Sequence, residues 1–310
     1  MFPPTARMVS SGKQEGWRMM GHGIRHALQL AAVTILPLTC MFYPFMPGTH
    51  DRLAATLSMM AQVLGFAGLL MAPIGILWLG YELAILRARR QGSVPGTAKR
   101  HWLAFCAMTA SAVVAAGVAS AAMHTGPSLA VAVLVLWAYI IRRALASVRH
   151  MRMADDDRLN PAPVYLILVP GILVLARLIF LPSAVEFSRK RAIEGSAQFI
   201  SAIENYRAAH GRYPVSLASV HHDYDPSTVG VERYHYELHG QSYNVFFEQP
   251  TFPIGTQEFV MYNPVDEHVM IVHNQDLLES PPEQVEQERR FHARAARDAG
   301  VPHWKYFWFD

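Results

Sequence analysis

The sequence predicts a multi-pass α-helical membrane protein with about five transmembrane helices and a C-terminal α+β domain. Long uncharged apolar runs are confined to residues 27–182, whereas most of the carboxylates fall in residues 183–310. The last apolar run continues without a break into a polar helix. With 52% hydrophobic and 16% charged residues, the chain departs from the composition of soluble proteins. Residues 1–26 form a polar, basic segment before the first run.

Five apolar runs reach or approach the ~20 residues that an α-helix needs to cross a bilayer. They lie at residues 27–46, 57–79, 102–123, 129–147 and 163–181. The first run is too long for the apolar core of a cleaved signal peptide, so it is interpreted as a retained span. Pro73 interrupts the second run, and the third is rich in small residues that allow close helix packing. Together the runs predict a transmembrane domain over residues 27–182.

The loops between these runs predict the orientation. Ten basic residues are confined to the loops after the second and fourth runs: Arg87, Arg89, Arg90, Lys99, Arg100, Arg142, Arg143, Arg149, Arg152 and Arg158. Because basic loops stay on the cytoplasmic side, residues 1–26 are predicted to be cytoplasmic and residues 183–310 extracytoplasmic. Arg189, Lys190 and Arg191 then lie on the disfavoured side, but inverting the chain misplaces ten basic residues instead of three.

The charges and thiols argue against several functional classes. Transport pathways are lined by ionisable residues inside the spans, whereas Glu82 lies near the cytoplasmic end of its run and Arg177 near the outer end. Arg177 is expected to snorkel to the membrane surface. A net charge of +3 without a basic stripe between aromatics gives no case for nucleic acid. Cys40 and Cys106 lie in apolar runs, which excludes a disulfide framework.

The polar helix after the fifth run carries an apolar stripe. Phe199, Ile203 and Tyr206 recur at the spacing of one helix face, and Glu204 is expected on the opposite, charged face. Gly211 suits the left-handed position that ends helices. The residues expected to fix this part of the fold are Ile203, Tyr206, Gly211, Tyr213 and Pro214.

Strand-like segments follow this helix. Runs rich in aromatic and β-branched residues lie at residues 231–238, 242–248, 258–263 and 268–273. Short turn-forming links between them predict antiparallel hairpins. The apolar stripe of the helix is predicted to pack on one face of this small sheet. Residues 283–298 then predict a charged surface helix.

The chain closes on an aromatic tail: Trp304, Tyr306, Phe307, Trp308 and Phe309. One interpretation is an extra edge strand that covers the sheet. The other is an exposed surface that meets lipid headgroups or a partner, since Trp and Tyr are enriched in both settings. Packing on the domain is favoured, because large apolar patches are seldom left exposed without a partner.

A motif at the end of the polar helix resembles a known family. A transmembrane helix runs into an amphipathic helix that ends with AIENYRAAHGRYP at residues 202–214. This arrangement resembles type IV pilins, and most closely the major pseudopilin of type II secretion. The resemblance covers residues from about 163 to 273. It implies a long helix on a small antiparallel sheet, in a periplasmic domain anchored in a bacterial inner membrane.

The chain also departs from the pattern of that family. Prepilins begin with a short basic leader and carry a glutamate near the start of the apolar segment. Here four runs precede the helix, and the residues after Gly171 lack that glutamate. Leader cleavage and assembly into a pilus are therefore not implied. Pseudopilins bind calcium in a loop after the helix, but Asp223 and Asp225 do not match that loop residue by residue, so no calcium site is carried over.

The densest group of potential metal ligands also lies after this helix. His221, His222, Asp223 and Asp225 combine imidazole and carboxylate groups that suit zinc or a similar ion. The alternative is a solvated loop, since the spacing is not that of recognised zinc sites and the DPSTVG that follows favours turns. The loop interpretation is preferred, so no metal or other cofactor is expected.

Two functional classes follow from these observations. The preferred one is a non-enzymatic membrane protein that presents its outer domain for protein interaction or scaffolding in the cell envelope. Its expected partners are the lipid bilayer and other envelope or secretion-type proteins. The alternative is an envelope enzyme with an acid–base site near the membrane surface, built from histidines at predicted strand ends: His235, His239, His268 and His273. No serine or cysteine motif accompanies these histidines.

Overall fold

The chain divides into two compact units. A computed structural model describes residues 24, 26–92, 98–151, 160–216, 219–220, 224–239, 241–250, 257–268 and 296–309. The first unit contains Met1–Met41 and Thr56–Arg177, and the second contains Phe42–Ala55 and Leu178–Asp310. The second unit therefore combines the loop that follows the first helix with the C-terminal part of the chain.

Long apolar helices build the first unit. The helix bounds are His26–Phe45 (α1), Ala54–Gly68 (α2), Ala72–Arg90 (α3), Ala98–Ala122 (α4), Pro127–Met151 (α5) and Ala162–Gly195 (α6). Helices α2 and α3 follow one another as one candidate span, and α6 passes from the first unit into the second. Within the described residues, five helical stretches are thus long and apolar enough to cross a membrane. The predicted number is confirmed at the level of length and composition.

A short 3-10 turn, Leu69–Met71, separates α2 from α3. Proline has no N–H, so Pro73 cannot give the carbonyl of Leu69 its usual helical donor. That carbonyl accepts the N–H of Ala72 instead. The proline that interrupts the second apolar run therefore tightens the helix locally without ending the span.

Glycines let α6 approach the span formed by α2 and α3. A Cβ on Gly68 would lie 2.9 Å from Pro170 Cβ, and a Cβ on Gly75 would lie 2.9 Å from Ile167 Cγ1. Small residues allow this kind of close helix contact in lipid. The second apolar run therefore shares the packing role that the sequence assigned to the third.

The position of Arg177 corrects one expectation. The side chain does not snorkel: Arg177 is 7% exposed, and its Nε donates to Gln62 Oε1 at 2.8 Å. Its guanidinium also lies 4.6 Å from the centre of the Phe66 ring. Gln62 donates to Ser58 Oγ at 3.2 Å, and Ser58 donates to Met41 O at 2.7 Å. Polar partners inside the first unit therefore hold a charge that would otherwise have to reach water.

Glu82 is buried as well, in a pair that joins α3 to α4. Its carboxylate accepts hydrogen bonds from Arg100 at 2.8 and 2.5 Å and from Trp78 Nε1 at 2.9 Å. Two guanidinium N–H groups that face one carboxylate make a strong and directional contact. The acidic residue of this span thus has a structural partner in the next helix.

The second unit packs helix α7, Ala197–His210, on a five-stranded antiparallel sheet. The strands are His235–His239 (β1), Ser242–Gln249 (β2), Gln257–Tyr262 (β3), Arg297–Asp298 (β4) and Trp304–Phe309 (β5). Their order across the sheet is β1-β2-β3-β5-β4. The predicted small antiparallel sheet is confirmed.

One aromatic core joins α7 to the sheet. Phe199 and Ile203 are 1% and 0% exposed, and they belong to the same buried cluster as Tyr243, Phe247 and Trp304. Burying one such side chain fully contributes about 1.5–3 kcal/mol. The helix stripe therefore supplies much of the stability of this unit.

The first strand is shorter than predicted. The sequence indicated residues 231–238, but β1 begins only at His235. Tyr234, just before it, is buried and donates its hydroxyl to Ala192 O at 2.5 Å. This hydrogen bond holds residue 234 against α6, and pairing with β2 begins at the next residue.

Two further predicted segments fall mostly outside the described residues. These are the strand at residues 268–273 and the helix at residues 283–298. His268 is described and is not in a strand. The last two residues of the predicted helix, Arg297 and Asp298, form β4 instead, because they pair with β5.

The aromatic tail forms a strand inside the sheet. Strand β5 pairs with β3 along its length, and β4 covers the other side of β5 at Lys305 and Tyr306. The prediction that the tail packs on the domain is confirmed, but its proposed edge position is wrong. Trp308 remains 40% exposed.

The loop between α1 and α2 joins the second unit through its backbone. Pro47 and Thr228 form an isolated antiparallel bridge. Four backbone hydrogen bonds of 2.8–3.1 Å flank this bridge. The N–H groups of Gly48 and Asp51 donate to the carbonyls of Ser227 and Val229, respectively. In the other direction, Val229 donates to Met46 O and Gly230 donates to Pro44 O. Gly230 is required there, because a Cβ would lie 2.6 Å from Pro44 O.

Candidate functional site

An open groove of about 580 Å³ lies on the second unit, where α6 gives way to α7. Both helices and the turn before β5 contribute to it. The lining residues include Lys190, Ile193, Glu194, Ala197, Ile200, Val301 and Trp304. Two of them had drawn attention in the sequence: Lys190 as a basic residue on the disfavoured side of the membrane, and Trp304 as part of the aromatic tail.

The groove lies beside a one-residue interruption between α6 and α7, at Ser196. Ser196 is fully buried and donates its hydroxyl to Ile193 O at 2.6 Å, a side-chain bond of the kind that bends helices. Gly195 precedes it, and a Cβ there would lie 2.9 Å from the Tyr234 hydroxyl. The Gly-Ser pair therefore marks the residues at which α6 ends and α7 begins, beside the groove.

The groove has an apolar floor and a charged rim. Ile193 and Trp304 are 5% and 4% exposed and form the floor. On the rim, Lys190 pairs with Glu186 at 2.7 Å, but both side chains are more than half exposed, so the pair contributes little. Glu194 is exposed one turn further along α6. The three charges sum to −1, which favours an apolar side chain with a basic neighbour as the group that binds.

A buried ion pair fixes α6 to the sheet beside the groove. Arg189 donates to Glu258 Oε1 at 2.8 Å through Nε and at 2.7 Å through its terminal nitrogen. Glu258 Oε2 accepts Trp308 Nε1 at 2.5 Å. The guanidinium also lies 4.0 Å from the centre of the Tyr306 ring. Because charge, hydrogen bonds and ring stacking converge, this pair sets the position of α6 on strands β3 and β5.

Glu204 lies among tyrosines, which corrects its expected position. Its Oε1 accepts the hydroxyl of Tyr243 at 2.8 Å. Burial, followed by this bond to Glu204, raises the pKa of Tyr243. Burial also raises the pKa of Tyr236 to about 12. The carboxylate therefore satisfies a buried hydroxyl and does not simply face solvent.

The predicted structural residues occupy different environments. Ile203 is fully buried under α7. Tyr206 is only half-buried and stacks on His210, with ring centres 4.1 Å apart. Gly211 ends the helix in the left-handed region with φ 70°.

The two residues after the helix face the tyrosine cluster. The Tyr213 ring packs edge-on against Tyr243 with centres 4.8 Å apart. Pro214 is buried, and its carbonyl accepts the hydroxyl of Tyr236 at 2.7 Å. The GRYP segment therefore ties the end of α7 to strands β1 and β2.

The predicted metal ligands are described only in part. His221, His222 and Asp223 lie outside the described residues. Asp225 accepts the backbone N–H of Ser227 at 2.7 Å, as in a turn. In the part of the chain that the structure describes, no group of three His, Cys, Asp or Glu side chains is placed to share an ion.

Two of the predicted acid–base histidines, His235 and His268, have different partners. His235 stacks on Phe246 with ring centres 5.0 Å apart, and burial lowers its pKa. His268 is 3% exposed, and its Nε2 lies 2.9 Å from His303 O. Burial also lowers the pKa of His268. Both rings are therefore held neutral by packing, and the described contacts do not bring them into one acid–base site.

The sequence carried one sign of the Arg189–Glu258 ion pair, which was the conflict of three basic residues with the predicted orientation. Arg189, Lys190 and Arg191 conflicted with the predicted orientation. Each has a partner in the second unit: Arg189 binds Glu258, Lys190 binds Glu186, and Arg191 Nε donates to Ser227 O at 2.9 Å. Basic residues that serve the fold in this way carry little information on orientation.

Comparison with known proteins finds no matching family model, no matching curated protein and no matching solved structure. The geometry of the second unit therefore carries the functional argument.

Proposed function

We propose that the chain is an integral protein of a bacterial inner membrane that presents its second unit on the periplasmic side for interaction with other proteins. The N-terminus is then cytoplasmic. The observation that carries this proposal is the backbone bridge between the α1–α2 loop and residues 227–230.

This bridge agrees with five membrane spans. If each candidate span crosses once, the loop after α1 and the chain after α6 lie on the same side of the membrane. The bridge at Pro47 and Thr228 joins those two segments. Basic residues in the loops after α3 and α5 favour the cytoplasm for the opposite side. The second unit is then attached to the membrane at two places, by α6 and by the loop after α1.

The second unit supports a pseudopilin-like assignment. A long helix packs on an antiparallel sheet, and the GRYP segment joins the end of that helix to the strands. Because four candidate spans precede this helix, the proposal is display of a single domain and not assembly into a filament.

The groove defines the partner that this domain would bind. Its apolar floor at Ile193 and Trp304 suits an apolar side chain, and Glu194 on the rim suits an adjacent basic residue. The proposed partner is therefore a polypeptide segment of another envelope protein in which these two residue types are neighbours. The enzyme alternative lacks comparable support, because His235 and His268 each make a packing or backbone contact of their own and no contact joins the two rings among the described residues.

Cysteines at positions 47 and 228 are expected to form a disulfide in cells. The variant combines Pro47→Cys and Thr228→Cys with Cys40→Ala and Cys106→Ala. Antiparallel partners have Cα atoms ~4.5–5.5 Å apart, which lies within disulfide geometry, and the periplasm is oxidising. Thiol blocking of intact cells followed by non-reducing electrophoresis measures the bond. Each single-cysteine variant is the control, and two free thiols in the double variant would contradict the proposed topology.

A photo-crosslinker at Ser201, which lines the groove, is expected to capture a discrete partner in cells. Glu194→Lys should reduce that adduct at least tenfold, a change of about 1.4 kcal/mol in binding, whereas Glu194→Gln should reduce it less. Glu194 is exposed, so the fold should tolerate both changes. The same crosslinker at Val215, which is 70% exposed, is the control. If the yield of the adduct does not change in the Glu194 variants, or if the crosslinker at Val215 gives an equal yield, the groove is not the binding site.

A further inference from the structure

One end of the sheet lies close to the level at which α6 leaves its apolar run. Gln249, at the end of β2, donates to Val185 O of α6 at 3.1 Å. Glu258, its neighbour on β3, pairs with Arg189. Trp308 of β5 is the strand partner of Glu258. This row of the sheet therefore sits beside residues 185–189 of α6.

Those residues follow directly after the end of the apolar run. The run ends at Leu181, and Glu186 is the first charged residue after it. A helix rises ~1.5 Å per residue, so Val185 and Arg189 lie about 6 and 12 Å beyond Leu181 along the axis. The polar zone of a bilayer is about 5–8 Å deep on each side. The row of Gln249, Glu258 and Trp308 therefore lies on the outer side of the headgroup zone if α6 spans the membrane.

The exposed side chains in this row have interfacial chemistry. Trp308 is 40% exposed, and the guanidinium of Arg297 lies 4.1 Å from the centre of its ring. Arg297 is exposed and has no carboxylate partner among the described residues. On α6, Phe187 is 54% exposed at the same level. Arg189 is not available, because Glu258 neutralises it.

We propose that Arg297 and Trp308 form a surface that binds the headgroups of anionic phospholipids in the outer leaflet. Arg297 contacts the phosphate, and the indole of Trp308 lies among the headgroups, where tryptophan is enriched. The inference rests on the proposed membrane insertion of α6. It adds a third contact between the second unit and the membrane, besides α6 and the loop after α1.

Tryptophan quenching tests this in the full-length chain reconstituted in nanodiscs that contain phosphatidylglycerol. The fluorescence of Trp308 is obtained by subtracting the emission of the Trp308→Phe variant from that of the wild type. Lipids brominated high on the acyl chain should quench this difference at least twofold more than lipids brominated near the chain end. An unquenched difference signal would overturn the proposal.

A second tryptophan, Trp102, tests the membrane insertion independently of the headgroup surface. Trp102 lies in α4 and is 65% exposed, so the wild type minus Trp102→Phe reports whether that helix contacts lipid. If neither tryptophan is quenched, the membrane insertion itself is wrong. If Trp102 is quenched and Trp308 is not, only the headgroup surface is wrong.

The role of Arg297 is tested by charge. The emission of Trp308 should shift to the blue as phosphatidylglycerol replaces phosphatidylcholine, and the shift should weaken at high salt, which screens exposed charges. Arg297→Gln should lose at least half of the shift, and Arg297→Lys should retain it. An equal shift in all three proteins would show that Arg297 does not bind the headgroup.

Discussion

Replacement of Glu258 by alanine is expected to destabilise the second unit by about 3–5 kcal/mol, the usual cost of leaving one member of a buried ion pair without its partner. Arg189 would keep its charge at 10% side-chain exposure. The indole N–H of Trp308 would also lose its acceptor. Urea titration of the full-length protein in detergent, followed by the near-ultraviolet circular dichroism of its aromatic residues, measures the loss.

The matched control removes both charges. Replacing a buried ion pair by apolar residues of similar volume is often neutral, so Arg189→Met combined with Glu258→Leu should be more stable than Glu258→Ala alone. A single change that costs less than ~1 kcal/mol would show that water reaches the pair, and the pair would then be no anchor for α6.

Truncation of Ile203 to alanine is expected to cost about 2–5 kcal/mol, because it leaves a cavity in the closed core between α7 and the sheet. Tyr206 was assigned to the same stripe, yet it is half-buried and stacks on His210 at the helix surface. Tyr206→Ala should therefore cost less, about 0.5–1.5 kcal/mol for the lost ring contact. The same urea titration compares the two variants.

Glu204 provides an internal check on this helix. The sequence placed it on the charged face, where alanine would be tolerated. Its bond to Tyr243 predicts a loss of about 1–3 kcal/mol, because a buried hydroxyl would lose its acceptor. Equal tolerance at Ile203, Tyr206 and Glu204 would mean that α7 does not pack on the sheet as described.

The candidate site itself was poorly predictable from the sequence. The groove lies where α6 meets α7, in a stretch that the sequence indicated as one continuous helix and that is interrupted only at Ser196. Its floor combines Ile193 with Trp304, residues more than a hundred positions apart in the chain. No local period or motif predicts that these two residues meet, so the sequence signalled the groove only through Lys190 and the aromatic residue Trp304.

The sequence by itself determined the features that depend on local properties. The lengths of the apolar runs determined the number of candidate spans, the φ preference of glycine ended α7 at Gly211, and the aromatic tail had the composition of a strand. Each follows from side-chain chemistry and backbone preference within a few turns of chain. Such preferences act whatever the rest of the molecule does.

The tertiary structure alone decided which distant residues meet. Arg177 turns inward to Gln62, Glu258 crosses 69 positions to Arg189, and Pro47 pairs with Thr228. The energy of a buried charge or of an unpaired backbone group depends on what surrounds it in space. That environment is created by packing, and it is absent from any short segment of the sequence.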